Sequence, residues 1–271
     1  MVRFPIDRSG RREIGKTGEY VSAIGLGTWA IRNYNMALET LVNAIEHGMD
    51  NIDTAEMYDN GRAEKLVGRV VKKVGRRRVF ITTKILPENL ISKDRVLKAT
   101  KVCLRRLEVS EVDLLLIHWP NPVLTIEEQV RNLEEAFLQG LTRHIGVSNF
   151  SLNELVKAIN ATRKAEIVVN QVHYSVLSKN VENDLPYAIK EGITIQAYTP
   201  LERGAVFRSR LVRKIAREVN KTPIQVALNY LISRPRTVPI LKTGKIEHLK
   251  EILGSMGWRL SIKHIEELEK L

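Results

Sequence analysis

A single cysteine, Cys103, stands in the 271 residues, which rules out an internal disulfide and a cysteine-built metal cluster. No apolar run approaches the roughly 20 residues that a membrane-spanning helix needs. The best, Leu114–Ile117, is broken at once by His118. The N-terminal MVRFPIDRSGRR is charged but has no apolar stretch and no small-residue cleavage site, so no secretion signal is read there. Linkers and low-complexity stretches are also missing. These absences point to a cytoplasmic protein without membrane contact, formed by one domain over residues 1–271.

What remains is ordinary for a globular chain: 44% hydrophobic and 27% charged residues exclude disorder and fibrous architectures. The net charge of +12, from 43 basic and 31 acidic residues, admits nucleic acid, an anionic ligand or a merely solvated surface. The densest basic runs, Arg11–Arg12 and Arg76–Arg78, read as loop or helix-end charges. They have no interleaved aromatics on which bases could stack, so no nucleic-acid partner is expected. A polyanionic small molecule accounts for part of the excess equally well.

Eight short β-branched runs recur: Ile24–Trp29, Asn51–Thr54, Val79–Lys84, Val112–His118, His144–Asn149, Ile167–Val172, Ile193–Tyr198 and Val238–Lys242. Their starts lie 23 to 45 residues apart, room for the helical crossover that parallel strands require. The gaps carry helical faces: Ala37, Leu41, Ala44 and Ile45; Val96, Thr100, Cys103, Leu104 and Leu107; Ile126, Val130, Leu133 and Phe137. Ser151 with Glu154 forms a capping box. Thr222-Pro223 is an N-cap with proline at the first helical position, so the longest gap holds two helices. Strict alternation of this kind predicts a (β/α)8 TIM barrel. Gly15–Ala23, with two turn glycines, reads as an N-terminal β-hairpin capping its bottom.

A rival reading begins at Gly25–Ala30. GLGTWA matches the G-x-G-x-x-A dinucleotide fingerprint, with Asp50 or Asp53 roughly 20 residues on. Trp29, however, sits where a helix should open against a pyrophosphate, and the next apolar face waits until Ala37. The glycines fit a tight strand-to-loop backbone better.

In a barrel, chemistry gathers at the carboxyl ends of the strands. Those ends read Thr28-Trp29, Asp53, Lys84, His118, Ser148-Asn149, Gln171, Tyr198 and Lys242. Singly each has a plain explanation, since a strand-end histidine is often a satisfied core residue and an asparagine can cap a turn. The charges are harder to dismiss, because a buried ammonium or carboxylate needs a partner. Asp53 and Lys84 lie on adjacent strands and can pair, either as a structural ion pair or as part of a site. Tyr58 follows in the loop MYDNG. A lysine cation nearby favours the phenolate and makes the phenol a stronger acid. Carbonyl reduction needs that, since hydride arrives at carbon while a proton must reach oxygen. His118 can hydrogen-bond the same oxygen.

D-T-A-x-x-Y at Asp53–Tyr58, the lysine of ITTK, LLLIHWP at Leu114–Pro120, IGVSNF at Ile145–Phe150 and QAYTPL at Gln196–Leu201 together resemble the aldo-keto reductase superfamily, in order and in register. The resemblance implies a catalytic tetrad of Asp53, Tyr58, Lys84 and His118. In it Tyr58 is the general acid, Lys84 lowers its pKa, Asp53 partners the lysine, and His118 orients the carbonyl. It implies further that Ser148, Asn149 and Gln171 hold the nicotinamide carboxamide and that Tyr198 stacks on the ring. Gly27, Thr28, Pro200 and Leu201 are expected beside the same cofactor, and Glu64 is read as structural. At the adenine end the family's I-P-K-S is replaced by Ile240-Leu241-Lys242-Thr243, its arginine by His248, and its Glu-Asn pair by Glu251-Ile252. Lys242, Thr243 and Lys245 can still meet a 2′-phosphate, and the following helix N-terminus favours an anion. NADPH/NADP+ is therefore the expected cofactor, with NADH accepted at a smaller disadvantage than an arginine site would impose. Ile252 removes an amide that could have bonded the adenine.

Short βα loops, and a chain that ends after the helical pattern Ile262–Leu268, predict an open pocket floored by Tyr58 and His118 and walled by Trp29, Leu86 and Trp119. Such a pocket suits a range of aldehydes, ketones or alcohols. Arg32 and Arg203 lie on the same face and are read as solvated rather than as anion ligands. No metal is expected, and a monomer or small homo-oligomer is. The resemblance also carries an alternative, a cofactor-binding regulatory subunit with little turnover, although no channel-binding extension is read in the chain.

Overall fold

The computed structural model describes residues 2–271; Met1, the first residue of the N-terminal segment read above, lies outside them. Two short strands, β1 (Arg11–Glu13) and β2 (Tyr20–Ser22), form an antiparallel hairpin. Eight parallel strands then close into a barrel: β3 (Gly25–Gly27), β4 (Asn51–Asp53), β5 (Phe80–Ile85), β6 (Val112–Ile117), β7 (Thr142–Ser148), β8 (Ile167–His173), β9 (Thr194–Tyr198) and β10 (Thr237–Lys242). The last strand pairs with both β9 and β3, which shuts the ring. The crossovers carry α1 (Tyr34–Glu46), α2 (Arg62–Val74), α3 (Lys93–Leu107), α4 (Ile126–Leu138), α5 (Leu152–Ala161), α6 (Leu185–Glu191), α7 (Arg210–Glu218) and α8 (Pro223–Ile232). Two further helices, α9 (Ile246–Leu253) and α10 (Ile262–Glu269), follow β10. The TIM barrel and its hairpin are thus as expected.

Local chemistry explains the boundaries. Ser151 and Glu154 exchange side-chain and backbone hydrogen bonds at the start of α5, and Thr222 with Gln225 does the same for α8. Apolar side chains between helices and strands form the main core, while Leu114, Leu116, Val169 and Val238 fill the barrel interior together with Ile14 and Val21 of the hairpin. The hairpin therefore plugs the bottom and leaves the top open.

Two readings need adjustment. The hairpin's first strand is Arg11–Glu13, upstream of the segment Gly15–Ala23, which supplies only the turn and second strand. Arg12 is accordingly no loop charge: it is 3% exposed, pairs with Asp7 at 3.1 Å and donates to the carbonyl of Ile232. In addition, Gly25 lies within β3, where an added Cβ would overlap Ile240 and Asn51. It is required by close packing of neighbouring strands, and α1 starts only at Tyr34, so no phosphate-binding strand–turn–helix exists there.

Candidate active site

A cavity of about 560 Å³ opens at the carboxyl ends of the strands. Asp53, Tyr58, His118, Ser148, Asn149, Gln171 and Tyr198 all border it, and Lys84 lies directly beneath.

Lys84 projects inward from β5 and is fully buried. Its Nζ donates to Asp53 Oδ1 at 2.7 Å, to the Thr54 carbonyl at 2.9 Å and to the Tyr58 hydroxyl oxygen at 3.2 Å, which uses all three ammonium hydrogens. Burial alone drives the lysine pKa down; Asp53, then Tyr58, more than reverse this, and the ammonium is held above its ordinary value. The other carboxylate oxygen, Asp53 Oδ2, accepts from Gln171 Nε2 at 2.7 Å across the barrel.

Tyr58 starts a short turn whose next two residues, Asp59 and Asn60, are left-handed at φ 47° and 53°. The Tyr34 hydroxyl, 2.7 Å from Asp59 Oδ2, and Arg62, 3.2 Å from the same oxygen, hold that turn. An ammonium cannot accept a hydrogen bond, so Tyr58 must be the acceptor from Lys84. Its own hydrogen finds no acceptor among the described residues, and Tyr58 faces the cavity. Burial pushes the phenol above its ordinary value, Lys84 pulls it back, and Asp53 adds to the rise. The lysine thus acts in the expected direction, but desolvation outweighs it, and the phenol stays protonated near neutrality.

His118 lies one residue beyond β6, its ring 5.7 Å from that of Tyr58 in an edge-on arrangement and 4.8 Å from Trp119. Burial, helped by the Lys84 cation, pushes its pKa down to about 3, so the ring is neutral. Its Nδ1 is buried with no partner among the described residues.

The candidate nicotinamide ligands are tied into the same network. Asn149, left-handed at φ 61°, donates through Nδ2 to the His118 carbonyl and to Ser148 Oγ, both at 3.1 Å. Ser148 Oγ donates to the Gln171 carbonyl at 2.8 Å, and the Tyr198 hydroxyl donates to Asn149 Oδ1 at 2.7 Å. Gln171 Nε2 also donates to Gln196 Oε1 at 2.8 Å, which spends both amide hydrogens on protein. Gly27, Pro200 and Leu201 border the cavity; Thr28 does not, being buried with its hydroxyl donated to the Asp53 carbonyl at 3.0 Å.

At the far end Lys242 borders the cavity together with Ile240 and Leu241, its Nζ donating to the Ala30 carbonyl at 3.2 Å. Thr243 is buried and donates to the Lys245 carbonyl at 3.1 Å. His248 is exposed on α9 and Glu251 half-buried, neither on the cavity wall. Ile252 points into the core, so an amide there would be buried rather than offered to an adenine.

Trp29 and Trp119, read as substrate walls, border the cavity. Leu86 does not: it is half-buried, and its N–H donates to Glu56. Met57 and Arg203 stand in the wall instead. Met57 neighbours Tyr58 in the MYDNG loop, and that adjacency was its only signal in the sequence. Arg203 reaches the cavity because the loop after β9 turns through left-handed residues. Among the described residues no group of three or more His, Cys, Asp or Glu could hold a metal ion, and no helix is long and apolar enough to cross a membrane.

Comparisons with known proteins converge. The family model "Aldo/keto reductase family" matches residues 23–271. Methylglyoxal reductase DkgB of Escherichia coli O157:H7 is 36% identical over 244 residues, covering 89% of either chain. Glyoxal reductase of Bacillus subtilis is 32% identical over 253 residues, 91% of this chain and 87% of its own. Among solved structures, a thermostable aldo-keto reductase in complex with the inhibitor epalrestat superposes with TM-score 0.89 at 37% identity, covering 96% of this chain and 98% of that one. An aldo/keto reductase from Klebsiella pneumoniae in complex with NADP and acetate gives TM-score 0.89 at 29% identity, over 97% and 95%.

Proposed function

The chain belongs to the aldo/keto reductase family, and on that premise we propose that it reduces small aldehydes and ketones, short dicarbonyls among them, to alcohols with NADPH, and oxidises alcohols in reverse. The observation that carries the reading is the buried chain Asp53–Lys84–Tyr58, which ends in a phenol hydrogen free to enter a cavity shared with His118. The relatives named for methylglyoxal and glyoxal reduction make those dicarbonyls the first substrates to try.

The donor set fits a nicotinamide cofactor. Gln171 has its two amide hydrogens committed to Asp53 and Gln196, so the atom left for a carboxamide is its oxygen, an acceptor. Asn149 and Ser148 stand beside it, and the Tyr198 ring borders the cavity as a stacking surface. Gly27 borders the cavity, and a Cβ there would meet Ile240 in ordinary contact at 3.4 Å. Lys242, with Thr243 near it, would meet the 2′-phosphate, and His248 and Glu251 would flank the adenosine. When bound, the reduced nicotinamide supplies the hydride.

The protein's own work is to handle the proton. Tyr58 gives its hydrogen to the carbonyl oxygen as negative charge builds there, which supplies about 10²–10⁴ in rate for a positioned acid. The phenolate left behind lies 3.2 Å from the Lys84 ammonium, which stabilises it until solvent returns the proton. Asp53 keeps that ammonium charged in a buried site. His118, neutral, orients the oxygen without competing for the proton. In the oxidising direction the same phenolate accepts the alcohol proton. With one lysine at the 2′-phosphate end, NADPH is preferred over NADH by a modest margin.

The test follows loss of reduced-nicotinamide absorbance with methylglyoxal, glyoxal and a panel of simple aldehydes and ketones, for both cofactors. Turnover with NADPH exceeding that with NADH supports the reading. Tight NADPH binding with no turnover on any carbonyl overturns it in favour of a cofactor-binding regulatory subunit.

A further inference from the structure

One exposed histidine outside the cavity touches both an aromatic ring of the cavity wall and the loop at its rim. His173 ends β8 and stands opposite Tyr198 in the register of β8 with β9. The two rings lie 20° from parallel with centroids 5.7 Å apart. His173 Nε2 is 2.7 Å from Glu202 Oε1. Tyr198 borders the cavity, whereas His173 is exposed and stands outside it, so His173 flanks the ring without occupying the ligand space.

Glu202 belongs to the loop that leaves β9. Its neighbours Thr199, Pro200, Leu201 and Arg203 border the cavity, whereas its own carboxylate turns away towards His173. The loop backbone is strained: Thr199, Glu202 and Arg203 are left-handed at φ 54°, 47° and 49°. Non-glycine residues there are costly, most of all a β-branched one such as Thr199, and they persist where the surroundings hold them. Bonds inside the loop, Glu202 N–H to the Thr199 carbonyl at 3.0 Å and Gly204 N–H to the Leu201 carbonyl at 2.8 Å, shape the turn. The Glu202–His173 hydrogen bond ties that turn to the barrel.

We propose that His173 and Glu202 form a clasp that sets the Tyr198 ring and loop 199–203 in their ligand-binding positions, so that the clasp governs how fast the nicotinamide cofactor leaves rather than the chemical step. Both are positioning residues, since neither borders the space where reaction would occur. The inference rests on the cofactor reading above. It assigns specific weight to two side chains that the sequence motifs do not single out.

The test uses the full chain. NADPH affinity and release are read by tryptophan-fluorescence quenching and stopped-flow displacement, and a single turnover with methylglyoxal is followed at saturating NADPH. His173→Phe keeps a ring against Tyr198 but loses the nitrogen, and Glu202→Ala loses the carboxylate. Each weakens NADPH binding by about tenfold, as expected for a lost hydrogen bond to a charged group, and the loss lies in the off-rate. The double variant is no weaker than either single one, because both remove the same contact. Glu202→Gln keeps an acceptor and stays within about threefold of wild type, while the saturated single-turnover rate falls less than about twofold in all variants. Thermal melts establish that each variant is folded. Unchanged off-rates in both single variants, additive losses in the double, or a turnover loss matching the binding loss overturns the clasp. Absence of NADPH binding by the wild type overturns the cofactor reading and the clasp together. NADPH binding without turnover overturns the reductase reading alone, and the off-rates then decide the clasp.

Discussion

Between Asp53 and Tyr198 the side chains are bonded to one another; around Lys242 they face solvent or the core. At the first end Lys84, Asp53, Gln171, Ser148, Asn149 and Tyr198 link five strands through hydrogen bonds of 2.7–3.1 Å. At the second, Lys242 makes one bond to a backbone carbonyl, and His248 and Glu251 project from α9 off the cavity wall. On the proposed function, the difference separates two tasks. Groups that act on a developing charge must be in place before it forms, because reorganisation at that moment raises the barrier. Groups that only hold a distant phosphate can be ordered by the ligand itself, and their contribution is to affinity and cofactor choice.

The largest effect that would sharpen this contrast is on chemistry at the first end. Tyr58→Phe removes the free hydrogen and lowers kcat by about 10²–10⁴, while NADPH affinity measured by fluorescence holds. Lys84→Met strands Asp53 as a buried carboxylate with Gln171 as its remaining side-chain partner. Removing one member of a buried pair costs about 3–5 kcal/mol, readable by urea denaturation. At the second end, Lys242→Ala weakens NADPH by about tenfold and leaves the NADH dissociation constant in place. His248→Arg gives the smallest change, a gain in NADPH affinity of about two- to fivefold for an exposed charge, measured by the same titration.

A pH experiment probes the burial of His118 directly. Its folded pKa of about 3 lies below the ordinary 6.5, so across that window the unfolded chain binds a proton that the native protein excludes. The stability associated with the neutral ring is therefore present above about 6.5 and is lost as pH falls towards about 3. Denaturation midpoints over this range fall more steeply for wild type than for His118→Gln.

The barrel was legible because its periodicity is dictated by burial: strands covered on both faces must be apolar, and their helices carry apolar stripes. The Asp53–Lys84 pair was legible for a related reason, since two charges in apolar strands demand one another. Gln171 was read at a strand end and borders the cavity, but the commitment of its amide to Asp53 and Gln196 depends on distances across the barrel, which no local pattern encodes. Leu86 was misplaced because its backbone, one residue beyond β5, is drawn aside by Glu56. Arg203 is exposed, in keeping with its reading as solvated, yet it also borders the cavity; nothing in T-P-L-E-R marks Thr199 and Glu202 as left-handed, and Gly204 alone hints at the turn. Arg12 looked like a surface charge and is buried by the hairpin, where Asp7 and the Ile232 carbonyl receive it. Local pairing rules are visible in one sequence, whereas contacts assembled from distant loops are not.

The division of labour between the two ends is most directly tested by one paired measurement: single-turnover rate at saturating NADPH, and NADPH dissociation constant, for Tyr58→Phe and Lys242→Ala beside the wild type. Tyr58→Phe is expected to lose rate by at least about a hundredfold with affinity intact. Lys242→Ala should lose affinity with rate intact. A Tyr58→Phe protein that still turns over at the wild-type rate would contradict that division.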